Sequence, residues 1–305
     1  MYARRRGTVN TTMIQSFPAR RTQLNQMEIR RALPVREHRL VGPWCFLDRY
    51  GPLTFTDDKP MDVAPHPHIG LQTVSWLLDG EVLHRDSLAN ERMIRPGELN
   101  LMTSGSGIAH SEETPPRSTG RLSGVQLWVA LPDAERHRAA SFAHHSDLPR
   151  LRVGEGDATV IIGALDDTRS PAQAFTSMVG ADLAIRGKAV VPLRRDFEYA
   201  LFVFSGSATT ENETLVPDIL YYLAPGRDEL TLLSREPSRI LLLGGTPFGE
   251  PIVMWWNFVA RTHEEIAQAR QEWQRRERFG EVHGYEGPRI EAPALIGHAA
   301  PNPAS

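Results

Sequence analysis

The stretch LQTVSWLLDGEVLH, residues 71–84, shows the pattern that recurs along most of the chain. A run rich in apolar and β-forming residues, 71–78, ends at the pair Asp79-Gly80, and a second short run, 81–84, follows. Asp-Gly is a strong signal for a tight turn between antiparallel strands. The stretch therefore predicts a β-hairpin.

Similar short apolar stretches, broken by Gly, Pro, Asp or Asn, continue from residue 27 to about 260. Many short strands with regular turn signals indicate a sandwich or barrel. A faint repeat of strand, glycine turn, strand, Pro-Gly turn and strand occurs at 76–101 and again at 202–233, which favours two copies of one β-fold. Further strand candidates are 99–102, 125–130, 158–163, 198–204, 219–223, 229–233 and 239–243.

One helix is predicted near the end of the chain, at about 263–279. Thr262 followed by Glu265 forms a capping-box pattern at its start. Three apolar residues recur at helical spacing and are expected to pack against the second barrel; they are Ile266, Ala269 and Trp273. Arginines 275, 276 and 278 fall in the predicted last turn, and Gly280 is placed to cap it.

Length and composition limit the class of protein. A chain of 305 residues suggests two domains, and a formal net charge of -3 shows no basic excess, so direct nucleic-acid binding is not expected. No apolar run is long enough for a membrane helix, and the first residues lack the apolar core of a secretory signal. A single cysteine, Cys45, excludes an intramolecular disulfide. We therefore expect a cytoplasmic protein.

Two short motifs carry the chemistry. His66-Pro67-His68 and His110-Ser111-Glu112 each place two donors at positions i and i+2, which point to the same face of a strand. The glycine-rich segment 104–107 lets the second motif approach the first closely. Three imidazoles and one carboxylate suit Fe, Mn, Ni, Cu or Zn. Four protein ligands on a six-coordinate ion leave open positions, which favours catalysis or sensing over a structural role.

Other residues compete for a place at the site. Glu113 is the rival oxygen ligand, but strand alternation turns it away from His110 and favours Glu112. His84 either lines the same cavity or is a strand histidine with a hydrogen-bonded partner. Three further histidines lie in a polar stretch and are predicted to face solvent; they are His137, His144 and His145.

These motifs stand in longer segments that resemble pirins, members of the cupin superfamily. The resemblance rests on PHPHIGLQTV at 65–74, on 78–87, on PGELNLMTSGSGIAHSE at 96–112 and on GVQLWVALP at 124–132, with a looser match at 247–259. It implies an all-β bicupin, two jelly-roll β-barrels packed together. A single Fe site would lie in the first barrel, with His66, His68, His110 and Glu112 as ligands.

The resemblance also implies an organisation of the chain. We expect a flexible N-terminal extension at 1–26, a metal-binding cupin domain at 27–150, a second cupin domain at 151–285 and a flexible tail at 286–305. The second-repeat positions that match His66 and His68 are Pro192 and Arg194, so the second barrel is expected to hold no metal.

The resemblance leaves two classes of function open. Some pirins resemble quercetin 2,3-dioxygenases, which implies an Fe2+ enzyme acting on a flavonol-like substrate with Glu112 as the base; other divalent transition metals are alternatives. Pirins are also described as redox-responsive regulators that bind protein partners. Pirins usually carry Arg and Glu where this chain has Ile69 and Gln72, so the substrate preference is left open.

Overall fold

The computed structural model describes residues 13–24, 27–56, 59–211 and 213–295. Within these residues the regular secondary structure is almost entirely β-strand, with one helix near the end. The strands of the first half are β1 (Gln15–Pro18), β2 (Arg20–Leu24), β3 (Met27–Leu33), β4 (Trp44–Thr54), β5 (Asp62–His68), β6 (Leu71–Gly80), β7 (Val82–Asp86), β8 (Glu91–Ile94), β9 (Leu99–Thr103), β10 (Ile108–Glu113), β11 (Arg121–Ala130) and β12 (Ser141–His145).

The second half continues with shorter strands around two long ones. These elements are β13 (Arg150–Arg152), β14 (Gly156–Leu165), β15 (Thr168–Arg169), β16 (Met178–Pro192), β17 (Glu198–Ser205), β18 (Ala208–Thr210), β19 (Glu213–Leu215), β20 (Ile219–Leu223), β21 (Glu229–Gly245), β22 (Val253–Trp255), β23 (Phe258–Ala260) and the helix α1 (His263–Gln274). The seven further strand candidates from the sequence each fall within one of these strands.

The first barrel consists of two antiparallel sheets with a cavity between them. The larger sheet has the order β12-β9-β6-β11-β4-β3-β2, and the smaller has the order β5-β10-β7-β8. The second barrel is built on the sheet β1-β20-β17-β21-β16-β14-β13, in which β16 and β21 are the long strands. The prediction of two cupin barrels is confirmed.

The predicted hairpin at 71–84 is wrong. β6 pairs with β9 and β11 in the larger sheet, whereas β7 pairs with β8 and β10 in the smaller one. Both edges of β6 are occupied, so β7 has no free edge there to pair with. The Asp79-Gly80 turn instead carries the chain from one sheet to the other. Gly80 has φ 83°, and a Cβ at this position would lie 2.0 Å from the Arg121 carbonyl oxygen. Glycine is therefore required at this corner.

A cluster of buried apolar side chains lies between the two barrels and joins them. Its buried side chains come from both halves, with Val125 and Leu127 from the first barrel beside Phe202 and Leu241 from the second. Trp44 lies at this interface, where its indole N–H is 3.1 Å from the Val179 carbonyl oxygen and 3.2 Å from that of Gly244. The barrels are therefore packed together.

Part of the predicted N-terminal extension is ordered in strands. β1 pairs with β20 of the second barrel, and β2 pairs with β3 of the first. The expected flexibility of 1–26 is thus wrong for 15–24, and residues 1–12, 25 and 26 lie outside the described residues. In the predicted tail, Ala292 is buried against the first barrel. Residues 296–305 lie outside the described part of the chain.

Helix α1 begins as predicted but ends earlier. The Thr262 hydroxyl accepts a hydrogen bond from the Glu265 backbone N–H at 3.2 Å. The helix stops at Gln274 because Arg276 and Arg278 take left-handed φ values of 60° and 69°, so Gly280 is not its cap. No helix among the described residues has the length and apolar character needed to cross a membrane.

The packing predicted for α1 is wrong. Its buried stripe, Ile266, Ala269 and Trp273, lies against Ile69 and Ala109 of the first barrel rather than against the second. The reason is a parallel bridge between Ile69 and Phe258, which ties the β22–β23 hairpin to the first barrel. The chain therefore returns to the first barrel before the helix begins.

Candidate metal centre

The two histidine motifs lie on neighbouring strands. β5 and β10 are antiparallel, with His66 opposite His110 and His68 opposite Ile108. Because residues i and i+2 share a face of a strand, this register brings all three imidazoles to one side of the smaller sheet. The motifs therefore meet as the spacing predicted.

The three imidazoles converge on one point. Among the described residues, His66, His68 and His110 form a group whose donor atoms all lie within 4.8 Å of one another, and all three side chains are buried. The Nε2 atoms of His68 and His110 are 3.0 Å apart. Two nitrogen ligands at right angles, each about 2.1 Å from a metal, are also about 3.0 Å apart. The spacing fits two ligands of one ion.

Hydrogen bonds fix which ring nitrogen faces the cavity. The Nδ1–H of His66 donates to the Ala64 carbonyl oxygen at 2.9 Å, and that of His68 donates to the Asn257 carbonyl oxygen at 3.0 Å. A carbonyl accepts only, so each Nδ1 carries the proton and each Nε2 keeps its lone pair. A ring N–H donated to a backbone carbonyl, with the other nitrogen left free, is typical of metal-ligating histidines.

Burial keeps the three rings neutral. Desolvation lowers the pKa of His66 to about 4, with a further decrease from His84 that is opposed by the Ala64 hydrogen bond. Desolvation, together with the neighbouring histidines, holds the pKa values of His68 and His110 well below their ordinary value. Neutral imidazole is the form that binds a metal, so the triad needs no proton loss at neutral pH.

His84 is a hydrogen-bonded partner of the triad rather than a member of it. Its Nδ1 lies 3.4 Å from the Nδ1 of His110, and its Nε2 lies 3.1 Å from Oδ2 of Asp86. The Asp86 carboxylate also accepts hydrogen bonds from Leu88 and Asn90. Because Asp86 takes the Nε2–H of His84, the His84 Nδ1 lone pair accepts the Nδ1–H of His110. The Nε2 of His110 is thus left for the cavity.

Glu112 lines the same cavity as the three histidines. Its Oε1 accepts a hydrogen bond from the Ser75 hydroxyl at 3.3 Å. Desolvation raises the pKa of its carboxyl, and the nearby His84 and the Ser75 hydrogen bond oppose that rise. Its oxygens are not part of the closely spaced histidine group, so its role as fourth ligand stays a prediction.

Glu113 has a different environment. Its Oε1 accepts from Arg85 Nη1 at 2.6 Å and from the Ser111 hydroxyl at 3.1 Å. It does not line the cavity that holds the histidines and Glu112. Glu112 therefore faces the cavity of the three histidines and Glu113 does not, and the choice of Glu112 as the ligand stays a prediction.

The cavity has a volume of about 190 Å³ and lies between the two sheets of the first barrel. Its walls are largely aromatic and aliphatic, and Phe46 stacks on Trp128 with ring centroids 4.0 Å apart. The remaining apolar wall residues are Ile29, Tyr50, Met61 and Val63, and the polar ones are Arg31, Asp48 and Gln126. Five more residues complete the lining: Gln23, Leu24, Trp256, Asn257 and Ile290.

Sequence reasoning missed the pair Arg31 and Asp48. The Arg31 guanidinium donates to both Asp48 carboxylate oxygens, at 2.8 and 2.9 Å, and only 9% of Arg31 and 6% of Asp48 is exposed. The available signal was a charged residue, Asp48, directly after the apolar run 44–47. Its partner could not be found without knowing the register of β3 and β4.

Two of the three histidines expected to face solvent do not. His137 is exposed as predicted, but His144 and His145 are half-buried on β12. β12 pairs with β9, and His144 Nδ1 lies 2.7 Å from Oδ1 of Asn100. The polar sequence hid this strand because the half-buried His144 finds its hydrogen-bond partner on β9.

In the second barrel, the positions matching the histidine motif have no metal-binding chemistry. Pro192 ends β16, and exposed Arg194 is ion-paired with Asp196 at 2.7 Å. The prediction that this barrel holds no metal stays a prediction.

Comparison with known sequences settles the family. The family described as Pirin matches residues 26–129, and the Pirin C-terminal cupin domain matches residues 178–280. The chain belongs to the pirin family. It is 43% identical over 287 residues to a Pseudomonas aeruginosa pirin relative named "Putative quercetin 2,3-dioxygenase", covering 93% of this chain and 91% of that one.

Two further relatives support the assignment. A pirin-like protein of Caulobacter vibrioides is 37% identical, with 84% of this pirin and 91% of the relative covered. The crystal structure of a quercetin 2,3-dioxygenase from Acinetobacter baumannii has a TM-score of 0.90 at 42% identity, covering 93% of this chain and 96% of that one. The fold and the family thus agree over nearly the full length.

Ile69 and Gln72, the two positions at which the resemblance led us to expect Arg and Glu, are both buried. Ile69 packs in the cluster with Phe258 and α1. Gln72 is fully buried, and its amide donates to Thr103 Oγ1 at 2.9 Å and to the Gln173 carbonyl oxygen at 3.1 Å. Neither residue lines the cavity that holds the three histidines. The side chains at these two positions therefore form no part of the cavity wall.

Proposed function

We propose that this pirin is a mononuclear metal enzyme that oxidises a flavonol with molecular oxygen, a quercetin 2,3-dioxygenase activity. His66, His68, His110 and Glu112 would hold the metal, with Fe2+ as the proposed ion. The observation that carries the proposal is the convergence of three neutral imidazoles in an aromatic-walled cavity. The names of relatives at 43% and 42% identity support it.

The donor set fits the proposed ion. Imidazole nitrogens with one carboxylate suit iron, and manganese, nickel, copper and zinc as well. When bound, the metal supplies Lewis acidity and redox chemistry.

The protein's own groups bind the substrate and move its proton. The stacked rings of Phe46 and Trp128 offer a flat apolar surface to an aromatic ring. Glu112, held by Ser75, would accept the proton of the flavonol hydroxyl. In the metal-free protein, burial raises the pKa of this carboxyl, so the carboxylate binds a proton more readily than an exposed one.

Oxygen consumption tests the proposal. Metal-free protein would be loaded with Fe2+ without oxygen, and then mixed with quercetin and oxygen in an oxygen-electrode cell. We expect oxygen uptake that depends on both the metal and the flavonol, and incorporation of both atoms of 18O2 into products. No uptake with any of a panel of flavonols would contradict the proposal.

A further inference from the structure

A row of polar side chains crosses the larger sheet inside the metal cavity. Ser75, Gln126, Asp48 and Arg31 are direct partners on the neighbouring strands β6, β11, β4 and β3. The Ser75 hydroxyl donates to Oε1 of Gln126 at 2.9 Å, and Arg31 donates to Asp48 through two bonds. The row begins at Glu112, which Ser75 contacts at 3.3 Å.

Apolar side chains flank this row on the same face of the sheet. Phe46 and Tyr50 lie two residues before and after Asp48 on β4, and Trp128 lies two residues after Gln126 on β11. All of them line the cavity. A flat ring can therefore lie against apolar groups while its oxygen substituents meet the polar row.

The contribution of the Arg31–Asp48 ion pair to folding stability does not explain why these two charged residues are buried at this position. Both side chains are almost fully buried, and removing two charges from water costs about as much as their attraction returns. Burial raises the pKa of the Asp48 carboxyl, although Arg31 opposes the rise. Apolar residues of similar size would serve the core at least as well. A buried ion pair that faces a cavity therefore points to a ligand.

We propose that Asp48, held in place by Arg31, is a substrate-orienting group that accepts a hydrogen bond from a phenolic hydroxyl far from the reacting centre. Each carboxylate oxygen accepts one bond from Arg31 and has capacity for another. This inference rests on the proposed function, since it places the reacting hydroxyl at Glu112.

The spacing of the row sets the size of the substrate. Ser75 on β6 and Asp48 on β4 are separated by one intervening strand, β11, and two strand spacings make roughly 10 Å. A molecule that reaches from Glu112 to Asp48 must therefore extend over more than one aromatic ring. The substrate class is a multi-ring phenol with hydroxyls near both ends.

Ligand binding without turnover tests the inference. Fe2+-loaded protein, kept free of oxygen, would be titrated with quercetin and with 3-hydroxyflavone, which keeps the reacting hydroxyl but lacks the distal ones. Trp128 and Trp256 line the cavity, so quenching of their fluorescence reports binding. We expect quercetin to bind roughly 10- to 100-fold more tightly, the range for a hydrogen bond to a charged group.

The double variant Arg31→Met/Asp48→Leu isolates the subsite, because replacing both partners strands no charge. We expect the preference for quercetin over 3-hydroxyflavone to fall by the same roughly 10- to 100-fold factor. Asp48→Asn keeps the shape of the side chain and should also reduce the preference. Glu28→Gln changes an exposed carboxylate on β3 and is the matched control.

The outcomes separate the two proposals. Two results would overturn the subsite while leaving the oxygen-uptake result intact. One is that the wild type binds quercetin and 3-hydroxyflavone equally tightly. The other is that wild type and both Asp48 variants prefer quercetin by the same factor. A preference that the variants abolish, without any oxygen uptake by the wild type, would support the subsite and overturn the dioxygenase proposal. Binding of neither ligand to the wild type would contradict both.

Discussion

At His110, a hydrogen-bond chain from Asp86 through His84 decides which ring nitrogen faces the cavity. The other two histidines rely on backbone carbonyls for the same purpose. His110 therefore depends on a side chain that substitution can remove, and this makes its orientation open to experiment.

Replacing His84 should weaken metal binding. His84→Leu removes the acceptor for His110 Nδ1–H, and loss of a hydrogen-bond partner of a ligating histidine costs about 10- to 100-fold in metal affinity. His84→Asn places an amide oxygen near the Nδ1 position and should recover part of the loss. Competition titrations with a metal chelator give the affinities. Equal affinity in wild type and His84→Leu would show that His110 needs no such partner.

Glu112 should be needed for turnover. Glu112→Gln keeps the size of the side chain but removes the base, so we expect the oxygen-uptake rate with quercetin to fall by about 10²- to 10⁴-fold. Rates would be compared at equal metal content. Glu113→Gln changes the neighbouring carboxylate, which is bonded to Arg85 instead, and is the control. A Glu112→Gln protein as fast as wild type would remove the base from the proposal.

The histidine triad could be predicted from sequence because strand alternation is local. His66 and His68 share a face wherever their strand lies, and the same argument separates Glu112 from Glu113. The contact of His84 with His110 depends on the pairing of β7 with β10. The ion pair of Arg31 with Asp48 depends on the register of β3 and β4. Both are non-local, so no spacing in the sequence shows them.

Among the elements, α1 and the segment after it close the first barrel beside the metal cavity. Trp273 is buried, and its indole N–H donates to the carbonyl oxygen of Ile290 at 2.8 Å. Ile290 lines the cavity, and its backbone N–H donates to the Pro65 carbonyl oxygen at 2.9 Å. The helix therefore positions part of the cavity wall next to His66.

Trp273→Ala should destabilise the protein by about 3–5 kcal/mol, as for other large buried aromatic residues. Urea unfolding gives the free energy of unfolding. Gln268→Ala, on the exposed side of the same helix, should stay within about 0.5 kcal/mol of wild type. A similar loss in both variants would show that the buried stripe does not anchor the helix.

The positions of the helix and strands along the chain were easier to predict than the elements against which they pack or pair. The capping pattern at Thr262 located the start of α1, but the stripe of Ile266, Ala269 and Trp273 says only that one face is buried. Which barrel covers it depends on the bridge from Ile69 to Phe258. In the same way, the turn at Gly80 was visible in the sequence, whereas the change of sheet was not.

At the scale of the whole molecule, the two barrels are joined by one core and by exchanged polar contacts. Trp76 of the first barrel donates to Asp182 of the second at 2.7 Å, and Arg49 donates to the Phe204 carbonyl oxygen at 2.8 Å. With Trp44 in the shared core, these contacts favour unfolding of both barrels together.

The stability of the metal-free protein should depend on pH through the buried histidines. The pKa of His66 is about 4 in the folded protein and about 6.5 in an unfolded chain, so only the unfolded state takes up the proton between these values. The free energy of unfolding should therefore fall as pH decreases from about 6.5 to about 4, by up to about 1.4 kcal/mol per pH unit for this group.

Urea unfolding of the chelator-treated protein across this pH range measures the slope. His66→Gln removes the group and should lower the slope, while the remaining titrating groups are common to both proteins. Identical slopes in wild type and His66→Gln would show that His66 is not held neutral by the fold.

Diffraction at the iron absorption edge from crystals of the Fe2+-loaded protein tests the metal centre most directly. We predict a single anomalous peak in the first barrel, bonded to Nε2 of His66, His68 and His110 and to a carboxylate oxygen of Glu112. An iron-loaded crystal with no peak at the three imidazoles, or with its peak bound by other residues, would contradict the account.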